Sequence, residues 1–160
     1  MTQTTIHATV VGTDRPGVTA LMFAALADTT VLDVEQVVVA GQLVLGAVVL
    51  APHDAEEELA ARMRRAVPDF EVSVRQVHAA DVSAEVANCT VTVVGQAITG
   101  ADVSALAATI AAAGANIFRI DRVADYPVTV LALEVLAPDA TALRLELVQR
   151  CHDLDVDVSV

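Results

Sequence analysis

Tryptophan is absent from this chain, whose 160 residues include one tyrosine and three phenylalanines. Basic residues are scarce too, nine against 21 acidic ones, for a formal charge of -12. Binding to phosphate backbones needs clustered positive charge, and holding unpaired bases needs aromatic platforms, so no nucleic-acid partner is expected. The longer apolar runs, such as "LVLGAVVLA", stop well short of the roughly 20 residues that cross a membrane. No basic segment followed by an apolar stretch marks an export signal, so no membrane partner and a cytoplasmic location are expected. Cysteine is limited to Cys89 and Cys151, with no Cys-x-x-Cys spacing. A disulfide between them stays open, although a reducing compartment favours two buried thiols. The four histidines, His7, His53, His78 and His152, lack zinc-ligand spacing, and no metal site is expected.

What is present is a globular composition, 55% hydrophobic with five prolines and no low-complexity tract. "TTIHATVVG" places Ile6, Ala8 and Val10 on one face of a strand, and after Pro16 the residues Val18, Leu21, Met22, Ala25 and Leu26 recur at helical spacing. "VLDVEQVVVAGQLVLGAVVLA" reads as two strands around a turn at Ala40-Gly41-Gln42. "DAEEELAARMRRAV" predicts a helix with acids at its start and arginines at its end, in which Glu58 can reach Arg62; "FEVSVRQV" is the closing strand.

The same order then repeats. "CTVTVVG" mirrors "IHATVVG", so that Gly12 and Gly95 stand 83 residues apart. Val103, Leu106, Ala107 and Ile110 mark a helix; "GANIFRIDRVA" and "YPVTVLALEVLA" read as strands; Leu143, Leu147, Val148 and Cys151 mark a last helix before the strand "DVDVSV". Tyr126 is read as a strand-start residue in a core or interface. The expected fold class is α+β: two ferredoxin-like βαββαβ domains, antiparallel sheets with helices on one face. The expected boundaries are 1–79 for the first domain, 80–87 for a linker and 88–160 for the second. Units of this size are marginal alone. The other sheet face or an edge strand is therefore expected to pack on the sister domain or a second chain, and "EQVVVA", apolar on both faces, reads as doubly covered.

The loop "GTDRPG", between first strand and first helix, leaves backbone N–H groups outward, an arrangement suited to a small anionic or zwitterionic ligand. At the 83-residue offset it becomes "GQAITG", without the acid and the proline, and Asp33 becomes Asn116. The second loop is accordingly open to a purely structural role. Asp153 and Asp155 have the spacing of a nucleophile and acid pair, but Asp157 stands where such a motif needs Thr or Val, and the closing-strand reading is preferred, with Leu154, Val156 and Val158 inward. No catalytic residue is expected.

The duplicated pattern, with Asp14-Arg15-Pro16-Gly17-Val18-Thr19 and Val34-Glu35-Gln36-Val37-Val38, resembles a tandem pair of ACT domains. Leu43-Val44-Leu45-Gly46, Gly95-Gln96-Ala97-Ile98-Thr99, Gly114-Ala115-Asn116-Ile117 and Asp125-Tyr126-Pro127-Val128-Thr129 extend the resemblance to the regulatory N-terminal half of actinobacterial phosphoserine phosphatases. It covers essentially the whole chain. The resemblance implies an amino-acid-sensing regulatory module, with L-serine the favoured effector at an interface between ACT domains. Within it, Asp14, Gly17 and Asn116 are the leading ligand-binding residues, with Val18, Gln36 and Gln96 as neighbours. The N–H groups of Gly17 and Val18 would serve the ligand carboxylate, and Asp14 or Asn116 its ammonium or hydroxyl. Asp14 and Gly17 also suit a plain helix-entry turn, and Asn116 a polar turn. A homodimer or higher homo-oligomer is implied. No cofactor is expected in these residues; Mg²⁺ is implied only for a haloacid-dehalogenase catalytic domain, for which no motif is present. Two alternatives stand beside this reading: an oligomerisation module that binds no metabolite, and a small ferredoxin-like enzyme using Asp14 or His7.

Overall fold

The computed structural model describes residues 3–78 and 86–150, and the backbone of residues 157–159. Most of the expected linker, Cys151, His152, Asp153 and Asp155, and the expected inward side chains of Leu154, Val156 and Val158, lie outside the described residues. The chain divides into two compact units, Met1–Ser83 and Ala84–Val160.

In the first unit, alternation of apolar and polar residues makes β1 (Gln3–Thr13), and its even-numbered residues Ile6, Ala8 and Val10 are fully buried. The helix α1 (Val18–Ala25) lays Val18, Met22 and Ala25 onto that layer, followed by buried Leu26. Then come β2 (Thr30–Val39), β3 (Gln42–Pro52), α2 (Glu56–Ala66) and β4 (Glu71–Val77). Ala40 and Gly41 turn the β2–β3 hairpin with φ of 49° and 79°, the paired left-handed geometry of a two-residue turn, which glycine accepts without cost. The sheet order is β2-β3-β1-β4, antiparallel throughout. Leu43, Leu45, Ala47 and Val49 of β3 join Met22, Leu59 and Met63 in one core, each large side chain contributing about 1.5–3 kcal/mol by leaving water.

The second unit repeats the order as β5 (Cys89–Gly95), α3 (Gly100–Ala112), β6 (Asn116–Ala124), β7 (Thr129–Leu136), α4 (Ala140–Arg150) and β8 (Asp157–Ser159), with sheet order β6-β7-β5-β8. Val91, Val93, Leu133 and Val135 face Leu106, Ile110, Leu143 and Leu147. At the end of α3, left-handed Gly114 allows its own N–H to reach the Ala111 carbonyl and that of Ala115 to reach Ile110, a paired closure that satisfies the last helical carbonyls. Both units are βαββαβ, α+β, with the helices on one sheet face.

Two local readings are corrected, at Arg62 and Tyr126, and two others, at Cys89 and β2, gain detail. Arg62 does not turn to Glu58: its guanidinium donates to Asp28 at 2.6 Å, tying α2 to the turn that follows α1. Tyr126 is 88% exposed in a bend before β7 and belongs to no core. Cys89 is a free, half-buried thiol facing the Val135 carbonyl, and burial pushes its pKa up. Within the first unit β2 is covered on neither face. It is the sheet edge, and all ten of its residues are exposed, Val31, Leu32, Val34, Val37, Val38 and Val39 among them.

Candidate functional site

The glycines around "GTDRPG" have different tasks. Gly12 ends the buried part of β1 beside the Phe70 ring; a Cβ there would lie 2.6 Å from Phe70 Cδ1. Phe70 in turn holds Arg15, whose guanidinium carbon lies 5.7 Å from the ring centroid and whose Nη2 approaches Asp69 at 3.9 Å. On the other side, the Asp14 N–H donates to the Gly41 carbonyl at 2.8 Å, pinning the loop to the β2–β3 hairpin. The loop is therefore held at both ends, with the Asp14 side chain exposed.

Gly17 carries the chain into α1 at φ 93°, a left-handed geometry that a Cβ opposes. It occupies the N-cap position and has no side chain to bond to the helix, so no side chain caps α1. The first intrahelical bond runs from Leu21 N–H to the Gly17 carbonyl at 3.0 Å. The earlier first-turn amides of a helix lack intrahelical acceptors, and they carry the positive end of its dipole. Within the first turn, Thr19 Oγ1 donates to Gln36 Oε1 at 2.8 Å, joining α1 to the edge strand. Gly17, Val18 and Gln36 thus come together around Thr19, a residue that the sequence reading passed over. Val18 presents only its backbone, its side chain being buried in the core.

The corresponding end of α3 is closed by the chain itself. Thr99 caps it: the Asp102 N–H donates to Thr99 Oγ1 at 3.3 Å, while Asp102 Oδ2 accepts from the Thr99 N–H and hydroxyl, both at 2.7 Å. The Thr99 hydroxyl and then its amide hold the Asp102 carboxyl below the usual carboxylate range. Asp102 is the counterpart of Thr19 at the 83-residue offset, so one repeat turns this side chain out to β2 and the other folds it back. The Thr-x-x-Asp spacing is the sequence signal that finds this box.

Gln96 and Asn116 both belong to the second unit and are exposed. Gly95 pairs with Thr129 and Asn116 with Leu136, seven residues apart along β7. At about 3.4 Å per residue the two positions stand at opposite ends of that sheet, roughly 24 Å apart along the strand direction. Asp33, the counterpart of Asn116, also lies away from the loop, opposite Val48 of β3, whereas Gln36 lies opposite Leu45. Among the described residues no three His, Cys, Asp or Glu side chains converge to hold a metal, and no helix is long and apolar enough to cross a membrane.

Residues 4–77 and residues 87–160 each match a family model described as an ACT domain. The chain is 36% identical over 160 residues to phosphoserine phosphatase SerB2 of Mycobacterium tuberculosis, covering 95% of this chain and 39% of the relative. It is 34% identical over 161 residues to a phosphoserine phosphatase of Streptomyces coelicolor, covering 98% of this chain and 39% of that protein. The chain thus spans about two fifths of the length of these curated relatives. The crystal structure of a Galdieria sulphuraria protein shares the fold, with TM-score 0.79 at 20% identity over 99% of this chain and 97% of that one. With both halves matched in this way, the chain belongs to the ACT-domain family, as a tandem pair homologous to the N-terminal regulatory region of actinobacterial phosphoserine phosphatases.

Proposed function

We propose that this ACT tandem senses L-serine at the N-terminus of α1 and thereby controls the activity or assembly of a phosphoserine phosphatase in serine biosynthesis, in the cytoplasm. The observation that carries the reading is the contrast between the two helix starts: α1 has no side-chain cap, whereas Asp102 fills the start of α3. A ligand carboxylate would accept from the Gly17 and Val18 amides, and Asp14, three residues before Gly17, would meet its ammonium. Gln36 and Thr19 already exchange a hydrogen bond there, and a serine hydroxyl could join it. Asn116 enters this reading only across an interface between ACT domains, and Gln96 belongs to the second loop. A ligand regulates only by favouring one packing arrangement over another, so its site belongs beside a surface that packs. The exposed apolar edge of β2 is such a surface, suited to a dimer or higher oligomer. Any Mg²⁺-dependent hydrolysis belongs to a catalytic domain outside these residues.

The same edge favours a second reading, an oligomerisation module that binds no metabolite. Calorimetric titration with L-serine, using glycine, L-alanine and L-phosphoserine as comparisons and Asp14→Ala as the control, separates the two. Serine-selective heat that the substitution abolishes supports the sensor. Silence toward all four ligands, with an intact oligomer, supports assembly alone.

A further inference from the structure

We propose that the helix-free face of the first sheet carries a separate binding groove for a small organic cation, a primary ammonium on a short aliphatic stem. The strand register builds it. Asp33, Val48 and His7 form one cross-strand row, Glu35, Gly46 and Thr9 the next, and Val37, Val44 and Val11 the third. Gly46 leaves the middle of this face without a side chain, and a groove of about 270 Å³ opens around it. A Cβ on Gly46 would come to 3.4 Å from His7 Nε2, so the glycine is what leaves that edge of the imidazole accessible.

Three independent features select the ligand class. Glu35 has no ion pair or side-chain hydrogen bond with any described residue, and Asp33 accepts only from the adjacent Val34 amide, at 2.9 Å. The valines 37, 44 and 48 offer an apolar wall for methylene groups. At the far end His7 Nε2 has one long contact, to Thr9 Oγ1 at 3.4 Å. Burial, and then Arg75 across the β1–β4 pair, lowers the His7 pKa below 6.5, so at neutral pH the imidazole is uncharged; the Arg75 cation stands on β4, the strand farthest from Asp33 and Glu35 on β2, which puts the ammonium at the β2 end of the groove. An anion would meet two carboxylates on a chain of formal charge -12. The second sheet has no counterpart, since at the 83-residue offset His7, Asp33 and Glu35 become Thr90, Asn116 and Phe118, and Ala132 stands opposite Thr92 where Gly46 stands opposite Thr9. The groove shares no residue with the start of α1, which lies on the helical face.

The test is an NMR titration of the full chain with n-butylamine at fixed pH and ionic strength, with n-butanol and butyrate as neutral and anionic molecules of the same stem. The His7 ring signals are the readout, assigned by their loss in His7→Gln. A saturable shift with butylamine alone is expected, about fivefold weaker in Glu35→Gln, absent in Gly46→Val and unchanged in Asp14→Ala. A melting curve shows whether the Gly46→Val chain is folded; if it is not, the smaller Gly46→Ala serves, with weakened binding expected. Equal shifts with butanol, or undiminished binding in Glu35→Gln, overturn the proposal. So does a His7 signal that moves with protein concentration and ignores the amine; the chain has no lysine, and that result would assign the groove to an arginine of a second copy.

Discussion

Thr19 Oγ1 donates to Gln36 Oε1 at 2.8 Å, and this bond joins the first turn of α1 to the exposed edge strand β2. Helix start and edge are thereby coupled by one side-chain pair. Thr19→Val keeps the shape and removes the hydroxyl. If serine binds beside this pair, its calorimetric midpoint should rise about fivefold, whereas an exposed hydrogen bond of this kind contributes only about 1 kcal/mol to stability. A melting temperature that collapses while affinity holds would assign Thr19 to folding alone.

Gly12 and Gly17 resist substitution for different reasons. Gly12→Ala drives a Cβ into the Phe70 ring, and such overpacking costs about 1–3 kcal/mol. Gly17→Ala meets nothing within 4 Å, and its cost, about 1–2 kcal/mol, comes from the left-handed backbone alone. Urea denaturation measures both. Relief by Phe70→Leu is expected for the first variant and not for the second.

Thr99→Ala should remove about 1 kcal/mol of stability by stripping the cap of α3. Asp102→Asn tests the partner through pH. Because the Asp102 carboxyl is held below its ordinary 3.8, its contribution is present above that pH and is lost as pH falls through the folded value. Acid unfolding curves of wild type and Asp102→Asn should therefore converge at the acid end.

His7 gives a second pH signature, nearer neutrality. Its lowered pKa means that the unfolded chain binds the proton more readily, so this contribution is complete above pH 6.5 and declines as pH falls through 6.5 toward the folded value. His7→Gln should flatten the stability profile over that interval, measured by denaturation at a series of pH values.

Val38→Lys places a charge on the open edge, a substitution that commonly blocks strand-to-strand association. Light scattering behind size exclusion should show a smaller particle than the wild type. An unchanged mass would move assembly to another surface.

The fold was legible because its signals are local. Ile6, Ala8 and Val10 alternate, Val18 and Met22 recur at helical spacing, and the hairpin turn is marked by Ala40-Gly41. The exposed state of β2 was not legible, because "VEQVVV" has the same composition at a sheet edge as in a covered centre, and strand order is set by distant pairings. Arg62 chose Asp28 over Glu58 for the same reason, since its partner is remote in sequence. At the candidate site the loop and Gln36 were readable, but Thr19 was not, as nothing in a lone threonine says which way it turns. The Thr99 and Asp102 box carried a local signal that was overlooked.

Asp102 also has a meaning for the history of the duplicated unit. A carboxylate tethered three residues from Thr99 faces the start of α3 at an effective concentration in the millimolar range or above, whatever the cell contains. It behaves as a permanent resident ligand. A free amino acid would have to out-compete it there, whereas the sensor site proposed at the start of α1 would answer to the concentration outside. On that proposal the two copies of one unit differ as a reference cell differs from a sample cell, one start filled by its own carboxylate and the other left open.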